Sequence, residues 1–135
     1  MKYSTIRDAG LLNLRYDAEK FDCGDFFILA QSRLFNRNVV LPGKRARRVR
    51  GQAKLGALSQ EYAVRTESPV EGDIVLTREF GEPRPSHIGV YLMLDYQPHI
   101  LHCNDKPWPF SRCDKIASLI GHGIIIEGYY TWKLA

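Results

Sequence analysis

The sequence predicts an α+β domain, with N-terminal helices packed on an antiparallel β-sheet. After Asp22, apolar residues recur at helical spacing. Beyond Pro69 the chain breaks into short β-rich runs punctuated by Gly, Pro and Asp. Helices followed by successive strands, without alternation, define the class. The length of 135 residues, with 44% hydrophobic and 25% charged content, fits one domain over 1–135. Such a chain buries about two-thirds of its unfolded surface.

Residues 6–14 form a weakly helical or extended lead-in. Asp22 is a good N-cap, and Asp25, three residues on, completes an acidic variant of the capping box. From Cys23, the residues Phe26, Phe27, Ala30 and Leu34 keep helical spacing. Ile28 and Leu29 make the segment nearly apolar all round, as in a core helix. Asn36 and Asn38 are stop residues, and "VVLPG" leaves in an extended form. Residues 44–63 read as a second helix, weakened by Gly51 and Gly56 and ended by Pro69. The strand runs are 72–80, 86–94 and 99–104, with one or two more in 123–132.

Composition narrows the function. No apolar run approaches 18 residues, so no membrane span is expected. The N-terminus has charges on both sides of a very short apolar patch and is no signal peptide. The three cysteines, Cys23, Cys103 and Cys113, are an odd number and argue for free thiols over a disulfide framework. His102, Cys103, Cys113 and His122 lack the spacing of a zinc site, and no metal or other cofactor is expected. Net charge is +4, yet residues 43–54 alone hold six basic residues and no acid, which leaves the remainder at −2. That segment is a solvated face, a docking patch for an acidic protein or anionic wall polymer, or a nucleic-acid contact. The absence of interleaved aromatics disfavours nucleic acid.

Cys23 falls at the first turn of a helix, where a thiolate is stabilised, and it would need an imidazole to become a nucleophile. Taken alone it better fits a small buried hydrophobe. His87 opens the strand "HIGVYL", with Ile88, Val90 and Leu92 on one face and His87, Gly89 and Tyr91 on the other. Gly89 leaves open space beside the histidine. A hairpin that sets His102 opposite His87 has a two- or four-residue loop centred on Leu94 and Asp95. His102 could then hold the His87 ring in its working tautomer. His99 lies on the opposite face, so only one of the two can serve. His122, between two glycines, reads as a loop residue. The C-terminal "GYYTWKL" stripe reads as a strand packed on the sheet edge, a sugar-binding surface or a contact patch.

The ordered set "FDC", "GDIVLT", "HIGVYL" and "ILHCN" resembles the NlpC/P60 family of papain-like cysteine peptidases, over about residues 20–105. Within that family it is most similar to the small single-domain versions encoded among bacteriophage tail genes. The resemblance implies a papain-like fold with Cys23 as nucleophile, His87 as base and His102 as the third member that orients it. The Cys23 backbone N–H would help hold the oxyanion. Gly24, Tyr16 and Asp22 are the associated oxyanion or substrate-site positions, Asp22 chiefly as a cap. The implied substrate is the peptide stem of bacterial peptidoglycan, cut through a thioester, and the implied place is the virion tail tip beside other tail-tip or hub proteins. A structural tail protein that retains the fold, or a protease processing another tail protein, are the alternatives. The chain departs from the family pattern at Gly24-Asp25, where Ser-Gly is usual. It also lacks the Tyr-x-x-Gly-Gly context and has a longer hairpin at "MLDYQPH".

Overall fold

The computed structural model describes residues 1–41 and 62–133. Helix α1 covers Tyr3–Asp8 and helix α2 covers Cys23–Phe35. The strands are β1 (Ala63–Thr66), β2 (Ile74–Glu79), β3 (His87–Leu94), β4 (Gln97–His102), β5 (Arg112–Lys115) and β6 (Ile124–Trp132). A 3₁₀ helix, Ile116–His122, links the last two. All six strands form one antiparallel sheet in the order β1-β6-β2-β3-β4-β5. The α+β class and the helices-then-sheet order thus match the expectation. Among the described residues no helix is long and apolar enough to cross a membrane.

Alternation along the strands divides the apolar residues between two layers. Ile88, Val90, Leu92, Ile74, Leu76 and Leu101 bury against Phe26, Phe27 and Ala30 of α2, with Ile6 and Leu11. On the opposite face Val75, Tyr91 and Ile100 pack with Leu119 and Ile124, under the 3₁₀ helix. A sheet covered on both faces carries apolar residues at nearly every position, which explains why β3 is buried along most of its length.

Local chemistry sets the ends of the elements. Asp22 accepts from the Asp25 N–H at 3.0 Å, and Asp25 accepts from the Asp22 N–H at 3.0 Å, so the reciprocal box starts α2 at Cys23 as the sequence predicts. Asn36 ends it in the left-handed conformation, φ 53°, whereas Asn38 lies beyond the helix, outside any regular element. In "GDIVLT", Gly72 adopts φ 90°, and a Cβ there would fall 2.6 Å from Arg37 Nη1. Asp73 accepts from the Val70 N–H and the Thr131 hydroxyl, and its carbonyl accepts from the Tyr91 N–H, locking the entry of β2 to β3 and β6.

Three expectations are corrected. The helix expected over 44–63 lies outside the described residues except at its end, where Ala63 belongs to β1. There Val64 and Thr66 favour a strand, and β6 supplies its hydrogen-bond partners. The segment 123–132, expected as one or two strands, is a single strand inserted between β1 and β2. Strand β5 and the 3₁₀ helix have no sequence counterpart above, because "RCDK" is too short and charged to register as a strand. His122 accordingly closes the 3₁₀ helix rather than sitting in a loop.

The β3–β4 hairpin is the third. It pairs Leu94 with Gln97 and turns on Asp95 and Tyr96, both at positive φ (50° and 61°), so its centre is one residue later than expected. Continuing the register sets His102 across from Gly89 instead of His87. A two-residue shift keeps the face, so the histidines become diagonal neighbours, still within reach of aromatic side chains. The space at Gly89 is also filled: a Cβ there would lie 2.5 Å from Ile100 Cγ1, 2.6 Å from Ile100 Cδ1 and 3.1 Å from His102 Cβ. The glycine lets β4 side chains cross toward His87. Gly89→Ala is therefore expected to lower stability by about 1–3 kcal/mol through overpacking, read as a lower urea midpoint with unchanged slope; an unshifted midpoint would contradict this close approach.

Candidate active site

His87 is the first residue of β3 and is 3% exposed; His102 is the last residue of β4 and is 4% exposed. Their rings meet on the face away from α2. His87 Nε2 lies 2.7 Å from His102 Nδ1, with ring centroids 5.0 Å apart. His102 Nε2 in turn lies 2.8 Å from Asp114 Oδ2. Asp114 stands on β5, where Arg112 donates from Nε (2.9 Å) to its other oxygen and places Nη2 2.8 Å from that oxygen as an ion pair. Arg112 is itself stacked over Trp108, 5.6 Å from the ring centre. The sheet therefore carries a continuous polar file from Arg112 through Asp114 and His102 to His87.

His99 is not part of it. Its side chain points to the other face, and Nδ1 bonds to the Gln97 carbonyl at 2.8 Å. Of the two histidines offered by β4, His102 is the one joined to His87.

The far end of the file is incomplete. His87 Nδ1 is buried and, among the described residues, is the side-chain polar atom left without a hydrogen-bond partner. A buried polar atom in that condition costs about 1–3 kcal/mol, and such costs concentrate where a group is kept for chemistry. Burial, and then the charge of neighbouring His102, push the His87 imidazole well below its ordinary value of 6.5. It is neutral at pH 7, so one of its two ring nitrogens has a lone pair able to accept a proton. Burial alone would raise Asp114, but its hydrogen bond to His102 and the charges of His102 and Arg112 prevail and lower it.

Cys23 occupies the first position of α2 behind the Asp22 cap, half-buried and packed against the helix-side core. The helix and β3 run in step. Gln31 donates to the Gly72 carbonyl, and Gly72 donates to the carbonyl of Tyr91. Eight residues back along α2 is about 12 Å, and four back along β3 about 13 Å. Cys23 and His87 thus share one end of the sheet. Cys103, next to His102, agrees: burial pushes its thiol up to about 12, with charges at Cys23 and Asp22 adding to the effect. Around the thiol, Tyr16 is half-buried and raised to about 12 by burial and then by Cys23. Tyr16 is held by its N–H to the Pro109 carbonyl. Gly24 is buried within the helix, and Asp22 uses its side chain to cap it. Cys113 is a free thiol raised to about 12 by burial and Asp114.

Asp114 and Arg112 were not legible as site residues. The alternation of "RCDK" puts both on one face, but only the pairing His102↔Arg112 and Ile100↔Asp114 brings that face to the histidines. His102 and Asp114 also border a pocket closed by Trp108, Leu119, His122 and Ile124.

The histidine pair should shape acid stability. Below about pH 6.5 the unfolded state takes up the proton that buried His87 refuses, so unfolding is favoured as pH falls. The contribution is intact above 6.5 and fades toward the lower folded value, by up to about 1.4 kcal/mol per pH unit. Melting temperatures from pH 7.5 to 5 should fall more steeply for wild type than for His87→Gln; parallel curves would remove His87 as the cause. Comparisons of the chain with protein-family models, with curated proteins and with solved structures gave no match.

Proposed function

We propose that the protein is a cysteine peptidase of the NlpC/P60 type with a papain-like arrangement, in which Cys23 attacks, His87 takes the thiol proton and His102 orients His87. The observation that carries the reading is His87: one ring nitrogen fixed on His102, the other buried, neutral and unpartnered. A general base needs that division of labour, one nitrogen to be held and one to work. The helix N-terminus at Cys23 supplies the field that favours a thiolate.

The reaction follows from these groups. The Cys23 proton passes to His87 Nδ1 and the thiolate adds to the scissile carbonyl. The oxyanion takes hydrogen bonds from backbone N–H groups at the start of α2, the Cys23 N–H among them. Collapse expels the amine, which receives the proton from His87, and leaves a thioester. A water deprotonated by His87 then hydrolyses it and frees the thiol. The substrate class in this reading is the stem peptide of bacterial peptidoglycan, and the setting is a phage tail tip beside other tail-tip or hub proteins. Both rest on the motif resemblance.

A second reading has its own support. Both imidazoles are almost fully buried, and their rings point away from the face on which α2 packs. A tail protein that keeps the fold as a structural unit would retain such a pair for rigidity alone.

Thiol chemistry separates the two. At pH 7 iodoacetamide should modify Cys23 well ahead of Cys103 and Cys113, both raised to about 12, and His87→Ala should slow Cys23 at least about tenfold. Mass spectrometry of muropeptide digests should show new stem-peptide fragments with wild type and none with Cys23→Ala. Equal, slow modification of all three thiols would sink the peptidase reading. Fast Cys23 without wall cleavage would redirect it to a protein substrate.

A further inference from the structure

We propose that Asp114, clamped by Arg112, is a positioning residue that sets the tautomer of both histidines and thereby leaves the lone pair of His87 on Nδ1. The hydrogen-bond chain argues it atom by atom. An ionised carboxylate only accepts, so the contact at Asp114 Oδ2 requires the proton of His102 to be on Nε2. When His102 carries that single proton, its Nδ1 is bare and accepts from His87 Nε2–H across 2.7 Å. Neutral His87, with its proton on Nε2, has no proton on Nδ1. Two sheet pairings, β3–β4 and β4–β5, transmit this choice from Asp114 to the far nitrogen of His87.

Arg112 makes the choice one-way. Its Nε–H donates to Asp114 Oδ1 and its Nη2 lies 2.8 Å from the same oxygen, so that side of residue 114 must present an acceptor. With Asp114→Asn the amide oxygen has to face Arg112, because an NH₂ group there would oppose two donors. The NH₂ is then turned on His102 Nε2. His102 must accept, its proton moves to Nδ1, and His87 Nε2 becomes the acceptor. The proton of His87 ends on Nδ1, the nitrogen that the peptidase reading needs bare. A near-isosteric change two residues removed from the base would therefore disarm it. Asp114→Ala offers no donor, fixes no wrong tautomer and should do less harm.

The importance of Nδ1 rests on the Cys23–His87 reading, but the tautomer assignment does not, and the experiment separates them. Histidine ring ¹⁵N–¹H correlation spectra of the full chain at pH 7.5 should show His87 and His102 each protonated on Nε2 in wild type. Both should be protonated on Nδ1 in Asp114→Asn. Alkylation of Cys23 should slow by about 100-fold or more in Asp114→Asn, as for a triad histidine forced into the wrong tautomer, and by less in Asp114→Ala. A purely structural carboxylate predicts the opposite ranking, since Ala removes more contacts. Melting curves identify variants that fail to fold, and Arg112→Gln with Asp114→Asn, which frees the amide to turn over, should restore part of the rate. Unchanged tautomers in Asp114→Asn, or Nδ1 protonation in wild type, would overturn the proposal. Reversed tautomers with an unchanged Cys23 rate would uphold it and remove the Cys23–His87 pairing instead.

Discussion

The hydrogen bond between His87 Nε2 and His102 Nδ1 ties the register of two strands to the chemistry of the site. It joins the first residue of one strand to the last residue of the next, inside a layer that excludes water. For it to form, β3 and β4 must take the register in which the two histidines are diagonal, and the residue between them must have no side chain. Gly89 meets that demand, because a Cβ there would collide with Ile100 and crowd His102. The two-residue turn at Asp95-Tyr96 meets the other by fixing the register. A longer loop with the same alternation would slide His102 along the strand and break the contact.

Burial gives the pair its character. In water an imidazole pair of this kind would titrate near neutrality and exchange partners with solvent. Here burial first, and then the neighbouring His102, hold His87 well below its ordinary value and so neutral. The carboxylate of Asp114 and the guanidinium of Arg112 close the opposite end of the file, where solvent is nearer. A gradient from a charged, partly exposed end to a neutral, buried end results, and the unpartnered nitrogen lies at the neutral end. The fold tolerates the cost of that atom because two-sided apolar packing of the sheet supplies stability elsewhere.

The helix contributes by a separate route. Its capping box places Cys23, and no other residue, at the first helical position. The bond from Gln31 to Gly72 then sets how far along β3 that position falls. The thiol and the imidazoles are therefore located by independent devices, one local to residues 22–25 and one spread over three strands. They share an end of the sheet because α2 and β3 are commensurate in length.

Much of this was present in the residues themselves. The α2 boundary, the strand runs at 72–80 and 86–94, the two faces of β3 and the choice between only two partner histidines follow from periodicity and capping. These are short-range effects, written within a few neighbouring residues. What the tertiary structure decided is longer in range. It selected His102 over His99, moved the hairpin by one residue, filled the space at Gly89, and brought Asp114 and Arg112 to the histidines. Strand β5 is short and charged, with no pattern of its own to announce it. Its identity comes only from pairing with β4, and pairing is a property of two segments rather than of one. The sequence could name the histidines; only the register of three strands could say which nitrogen is held and which is left bare.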